Sequence, residues 1–310
     1  MEFFSKRTNF DFLRWRHYAM FFSAALTVVS LLFIIFRGLN LSIDFTGGTV
    51  IEVSYPEAVD LEPVRQGLAA DGFDDAIAQH FGTAKDVLVR LAPRPGVAEK
   101  VLADRVVASL KRISQGEVKL QRVEFVGPQV GEEITEQGGL AMLAALVATL
   151  IYVGLRFEWR LALGAVLALF HDSIITVGFF SVTWLEFDLT AFAAVLAVIG
   201  YSLNDTIVVY DRIRENFRKV RRAGAIEIMN LALNETLSRT VMTGVTTFLV
   251  LIALYLYGGE MLYSFTTALI VGALFGMYSS VYVASALALS LGVSRADLMP
   301  AQKEGADPRP

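Results

Sequence analysis

The sequence predicts an α-helical polytopic membrane protein with six transmembrane helices and a small βαββαβ domain inserted between helices 1 and 2. Three observations lead there. Several apolar runs exceed 18 residues with almost no charge, long enough to cross a hydrocarbon core. Of the 310 residues, 55% are hydrophobic and 19% charged, below the roughly 25% charged share of ordinary soluble chains. One long interruption, residues 37–137, instead alternates strand-like and helix-like patterns.

Residues 1–16 are polar and basic, with Lys6, Arg7, Arg14 and Arg16, and Trp15 and His17 mark the boundary of a first span over 17–36. That run is too long for the core of a secretory signal, and no small-residue cleavage site follows it, so it is read as an uncleaved anchor. In the inserted domain, Gly48 to Tyr55 alternates like a strand. Residues 61–70 read as a helix with Asp60 as N-cap. Short strands are expected at 75–81 and 86–91, an amphipathic helix at 97–113, and a last strand at 118–126 ended by Gly127-Pro128. The order is the ferredoxin-like one. The domain holds no cluster of catalytic side-chain types. His80 stands alone and reads as a surface or half-buried strand residue.

The remaining spans are expected at 138–155, 161–184, 189–210, 240–257 and 262–291, with a loop at 211–239 and a tail at 292–310. Within the loop, Ile226, Met229, Ala232 and Leu237 recur at helical spacing. An interfacial helix on the membrane surface and a hairpin packed on the bundle both fit that pattern. The short loops separate by charge. Arg156 and Arg160 lie in one, and Arg212, Arg214, Arg218, Lys219, Arg221 and Arg222 in another, while Arg295, Lys303 and Arg309 lie in the tail. The opposite loops carry Glu186, Asp188 and Glu260 without Lys or Arg. The positive-inside rule then places both termini in the cytoplasm and the inserted domain outside. Trp159 and Trp184 fall at opposite ends of the third span, where interface aromatics belong.

The chain has no cysteine, which excludes a disulfide framework and thiolate metal sites. It shows no phosphate-binding GxxxxGK[ST] loop, HExxH pair or GxSxG elbow. The expectation is therefore no enzyme, no cofactor, no metal and no nucleic-acid partner.

What remains is a set of polar groups inside the apolar runs. Asp205 sits within the fourth span, where a carboxylate is expensive and by default functional. Tyr201, Ser202 and Asp205 share a helix face, with Asn204 adjacent. His171-Asp172 lies near the middle of the third span. Arg239, Thr243, Thr246 and Thr247 follow at helical spacing at the start of the fifth. These three stripes are expected to meet inside the bundle, away from lipid. A contact between Asp205 and Arg239 is geometrically reasonable across one loop. Burial and a nearby guanidinium push a carboxylate in opposite directions, which suits an acid that changes protonation as its partner moves. A purely structural acid, a snorkelling Arg239 and a static His171–Asp172 hydrogen bond fit the same sequence. Gly272 and Gly276 form a GxxxG that signals close helix packing.

Several stretches resemble one known family. DFTGG (Asp44 to Gly48), GPQVGEE (Gly127 to Glu133), FHDSIITVGFFS in the third span, VIGYSLNDTIVVYDRIREN in the fourth and NETLSRTVMTGVTT at the fifth are similar to the SecF branch of the SecD/SecF protein-export family, within the resistance-nodulation-division superfamily. The resemblance runs from Phe12 to about Leu291. It implies one half of a twelve-span machine completed by SecD, a parallel-repeat architecture. That machine would use the proton-motive force to help preproteins leave the SecYEG translocon at the inner membrane, with YajC and YidC as associates. It further implies a proton-pathway acid and arginine, which match Asp205 and Arg239. The polar stripes add His171 and Asp172 as candidate members beside them and Ser202, Asn204, Thr243 and Thr247 as the supporting polar face. Two rivals are kept: a half-transporter exporting lipids or amphiphiles, and a non-transporting assembly scaffold.

Overall fold

A computed structural model describes residues 8–94, 99–114 and 118–298. Lys6, Arg7, Lys303 and Arg309, and the expected helix start at 97–98, lie outside the described residues. Among the described residues, six helices are long and apolar enough to cross a membrane. The first, α1 (Arg16–Phe36), follows a single 3-10 turn, Phe12–Trp15, whose Arg14 N–H is capped by the Asp11 side chain. A two-residue strand β1 (Asn40–Leu41) and a short helix α2 (Ile43–Thr46) lead into the inserted domain.

That domain runs β2 (Gly48–Ser54), α3 (Leu61–Ala70), β3 (Ile77–Phe81), β4 (Thr83–Leu91), α4 (Glu99–Ser114) and β5 (Lys119–Val126). The four strands form one antiparallel sheet in the order β3-β4-β2-β5. Strand β2 alternates Ile51 and Val53 onto one face, where Val87 and Val89 of β4 join them. Val64 and Leu68 of α3 and Val106 and Leu110 of α4 close the core above that face. Asp60 caps α3 by accepting from the Glu62 N–H. Strands β3 and β4 are joined at Gly82 (φ 75°), so β4 starts three residues earlier than the sequence pattern suggests.

Helix α5 (Pro128–Arg156) begins with proline in its first turn, where a missing N–H costs nothing. Residues 128–137, expected in the inserted domain, are thus the first turns of this helix. Then come α6 (Trp159–Thr183), a two-residue strand β6 (Glu186–Phe187), α7 (Leu189–Lys219) and α8 (Ala225–Tyr257). The expected loop at 211–239 is nearly all helix, since only residues 220–224 separate α7 from α8. Among the described residues there is no interfacial helix; the end of α7 and the start of α8 form a helical hairpin packed on the bundle, the second of the two arrangements the spacing allowed. Ile228, Met229, Ala232 and Leu233 pack against Ile213 and Phe217, which keeps α8 continuous. The sixth span is α9 (Tyr263–Ser279), a π turn (Ser280–Ala284) and α10 (Ser285–Ser290), followed by the short α11 (Arg295–Leu298).

Helices α6, α7 and α9–α10 form the buried centre, whereas α1, α5 and α8 leave most of their surface exposed. Helix α1 is nonetheless seated. Gly178 of α6 lets Ser30 approach so closely that an added Cβ would lie 2.3 Å from the serine Cβ. Tyr278 Oη donates to the Ala19 carbonyl and accepts from Ser23.

The start of α8 grips the segment before α1. The Asn234 amide brackets Phe10, its Oδ1 accepting from the Phe10 N–H at 2.8 Å and its Nδ2 donating to the Phe10 carbonyl at 2.8 Å. Asn230 Oδ1 accepts from the Leu13 N–H, and its Nδ2 donates to the Asp11 carboxylate. Asn234→Ala is expected to remove both bonds to Phe10, roughly 1–3 kcal/mol together, along with the donation to the Asn230 carbonyl. Amide exchange at residues 10–13 should then rise about tenfold or more, while exchange in α6 stays unchanged.

Candidate functional site

Two buried carboxylates organise the bundle. Asp172 of α6 accepts from Ser202 Oγ of α7 at 2.5 Å and from Ser279 Oγ of α9 at 2.6 Å, both on Oδ2. His171 Nδ1 lies 2.8 Å from its Oδ1. Asp205 of α7 accepts from Thr240 Oγ1 of α8 at 2.8 Å on Oδ1 and from Ser280 Oγ of the π turn at 2.7 Å on Oδ2. Four spans therefore converge on two acids. His171 Nε2, also buried, has no protein partner among the described residues.

Local sequence explains the convergence. Ser202 and Asp205 are three apart on α7, so they share the face that buries Val198 and Val209. Gly272 and Gly276 let that face come close. A Cβ at Gly272 would sit 2.1 Å from Val198 Cγ2, and one at Gly276 would sit 3.1 Å from Ser202 Cβ. At that separation the short serine side chains reach carboxylates on neighbouring helices.

The structure brings His171, Asp172, Ser202 and Asp205 together. It does not bring the rest of the expected set. Arg239 is exposed, forms no ion pair among the described residues and acts on Asp205 only through space. Its neighbour Thr240 makes the contact instead. One residue is 100° of helix rotation. The buried stripe of α8 is Thr236, Thr240 and Gly244, so Arg239, Thr243 and Thr246 point outward. Thr243 turns its hydroxyl back onto the Arg239 and Thr240 carbonyls. Asn204 is exposed, and Thr247 lies beside the Tyr201 hydroxyl at the edge of the site. Sequence reading missed Thr240, Ser279 and Ser280. The one available signal was the concentration of Ser279, Ser280 and Ser285 within an otherwise apolar span, a pattern that by itself only marks close packing.

A second polar cluster ties the sheet domain to α7. Strand β1 pairs in parallel with β6, matching Asn40 to Glu186 and Leu41 to Phe187. Buried Arg90 of β4 donates to the Leu41 carbonyl and to Asn40 Oδ1, and lies 3.6 Å from Glu186 Oε1. Gln79 Nε2 donates to Glu186 Oε2 at 3.2 Å. Asp44 accepts from the Leu189 N–H at 3.0 Å, placing a negative charge at the N-terminus of α7. Gly47 and Gly131 meet so tightly that a Cβ at Gly131 would fall 2.8 Å from Gly47 N. The two glycine motifs are therefore one joint. A cleft of about 440 Å³ opens here, lined by Gln79, His80, Arg122 and Glu186 among others.

Burial raises the Glu186 carboxyl above its ordinary value, and Arg90 opposes the shift without cancelling it. The folded joint thus binds this proton more tightly than the unfolded chain. Its stability falls as pH rises from the ordinary glutamate value through the raised one. Glu186→Gln should flatten that dependence, read as exchange protection at residues 40–41 and 186–187 against pH. Arg90→Gln should lose protection at the same residues at every pH, because it removes charged hydrogen bonds, each worth about 1.5–3 kcal/mol.

Comparison with known proteins bears on this arrangement. The family model described as "Protein export membrane protein SecD/SecF, C-terminal" matches residues 105–294, and that of the "SecD/SecF GG Motif" matches residues 32–55. The chain is 51% identical over 298 residues to the protein translocase subunit SecF of Vibrio alginolyticus, covering 96% of this chain and 95% of the relative. It is 47% identical over 302 residues to that of Pseudomonas aeruginosa, covering 97% of each. The crystal structure of SecDF, a translocon-associated membrane protein from Thermus thermophilus, superposes with TM-score 0.82 at 36% identity. That match covers 94% of this chain but only 39% of the solved one. A SecDF structure in a super-membrane-facing form matches with TM-score 0.69.

Proposed function

The chain belongs to the SecD/SecF family of protein-export membrane proteins, and from that premise we propose that it uses the proton-motive force to drive a step of preprotein translocation. It is a multi-pass membrane protein and a SecDF-type translocation subunit, partnered by SecD and the translocase. The finer reading sets it in the bacterial inner membrane with both termini cytoplasmic. Its sheet domain lies outside as a ferredoxin-like module, a reading supported by the strand order β3-β4-β2-β5. SecYEG is the channel it serves, YajC and YidC are its associates, and it catalyses no covalent reaction.

One observation carries this reading. Among the described residues, Asp205 is bonded only by hydroxyls, Thr240 and Ser280. A hydroxyl both donates and accepts, so these partners satisfy Asp205 whether it is ionised or protonated. A guanidinium, which only donates, would lock the charged form. The site is therefore built to hold either protonation state without stranding a buried polar group. One proton crossing about 100 mV supplies roughly 2.3 kcal/mol, enough to reweight two bundle packings of similar stability.

The test is late-stage preprotein movement in inverted membrane vesicles carrying or lacking the chain, with and without an uncoupler. The chain's contribution should vanish with the gradient. An equal contribution in both conditions would sink the proton-driven reading and favour a scaffold.

A further inference from the structure

Ser279 and Ser280 are neighbours in sequence, and each holds a different acid. Adjacent residues point about 100° apart around a helix, so Ser279 reaches Asp172 on α6 while Ser280 reaches Asp205 on α7. Each hydroxyl also has a second acceptor on its own helix. Ser279 Oγ lies 3.1 Å from the Gly276 carbonyl, and Ser280 Oγ lies 3.0 Å from the Met277 carbonyl. Both side chains thus have two places to send one proton.

The π turn begins at Ser280. A π turn holds one residue more than an α turn and disrupts the regular carbonyl ladder. Two side chains take carbonyls of that turn, one from α7 and one from the residue that follows the turn on the same span. Tyr210 Oη of α7 donates to the Ala284 carbonyl at 2.9 Å, and Ser285 Oγ donates to the Ser280 carbonyl at 3.0 Å, all of them buried. The irregular geometry is therefore held from outside the turn as well as from within it.

We propose that Ser279 and Ser280, at the head of this π turn, form a coupling switch between the two buried acids. The proposal rests on the reading that Asp205 titrates. When Asp205 takes up a proton, its new O–H donates, Ser280 turns its own proton to the Met277 carbonyl, and no other covalent bond changes. The π turn that starts at Ser280 repacks, and Ser279 shifts its donation from Asp172 toward the Gly276 carbonyl. The groups facing the pair are few. His171 and Ser202 meet Asp172; Thr240 meets Asp205, with Tyr201 nearby and Arg239 acting through space. Both serines are positioning residues that touch no cargo.

The experiment is infrared difference spectroscopy of the full complex on a pH step. Asp205→Asn and Asp172→Asn identify each acid's carboxyl band, and secretion and complex levels are measured in parallel. Ser279→Ala should shift the Asp205 band and Ser280→Ala the Asp172 band. Ser280→Thr, which keeps a hydroxyl, should restore it. The double alanine variant should lose no more secretion than the worse single one. Bands that move only for each serine's own acid, with secretion losses that multiply, would overturn the coupling and leave proton drive standing. A wild-type complex with no Asp205 band would overturn proton drive and the switch together.

Discussion

Asp205→Asn is expected to reduce secretion to the level of a strain lacking the chain, while the complex accumulates normally. The substitution is nearly isosteric. The asparagine carbonyl accepts from one of Thr240 and Ser280, and its NH2 donates to the other, so no buried hydroxyl is stranded. Folding should change by no more than about 1 kcal/mol, the size of one net hydrogen bond. What the amide cannot do is gain or lose a proton near neutral pH. Membrane-potential-dependent secretion in cells whose only copy is the variant, with complex levels checked by blot, measures the outcome. Normal secretion would make the acid structural and move the scaffold reading to first place.

Gly272→Val should have the largest effect on stability. The added Cβ alone would lie within 2.1 Å of one Val198 methyl and 2.7 Å of the other. Helices α7 and α9 must separate or the side chains must leave their rotamers, at about 1–3 kcal/mol for overpacking in general and more where backbones touch. Separation would also pull Ser279 and Ser280 from both acids. The expected result is a sharply lower thermal midpoint in detergent and poor accumulation in cells. Adding Val198→Ala should recover more than half the loss, because it removes the clashing methyls. Gly272→Val that accumulates normally without that compensation would show that α7 and α9 do not need close approach.

These two positions differ in how far the sequence exposes them. Asp205 and Asp172 are visible because a carboxylate in an apolar run is costly anywhere in a bilayer, and Gly272 and Gly276 because their spacing marks a packing face. The partners of the acids were not visible. Thr240 rather than Arg239 meets Asp205, a difference of one residue and 100° of rotation. Helix rotation is legible when one side of a helix is polar. In a nearly all-apolar bundle, lipid and protein neighbours look alike to the sequence, so the periodicity signal fails. The serines escaped for a related reason, since a small hydroxyl in a span is equally suited to helix packing and to holding a charge.

The sequence by itself determined the long-range plan: six spans, a sheet-bearing insertion after the first, and two acids that the membrane could not tolerate unsatisfied. Those follow from local quantities, namely run length, alternation and the cost of burying charge. Only the tertiary structure decided which hydroxyls satisfy the acids, that α8 runs unbroken from its grip on Phe10 into the membrane, and that the sixth span contains a π turn. Each of these depends on groups far apart in the chain: Ser279 is 107 residues from Asp172, and Ser280 is 75 from Asp205. Tyr210, 74 residues away in sequence, also takes a carbonyl of that turn, and no local pattern announces its arrival.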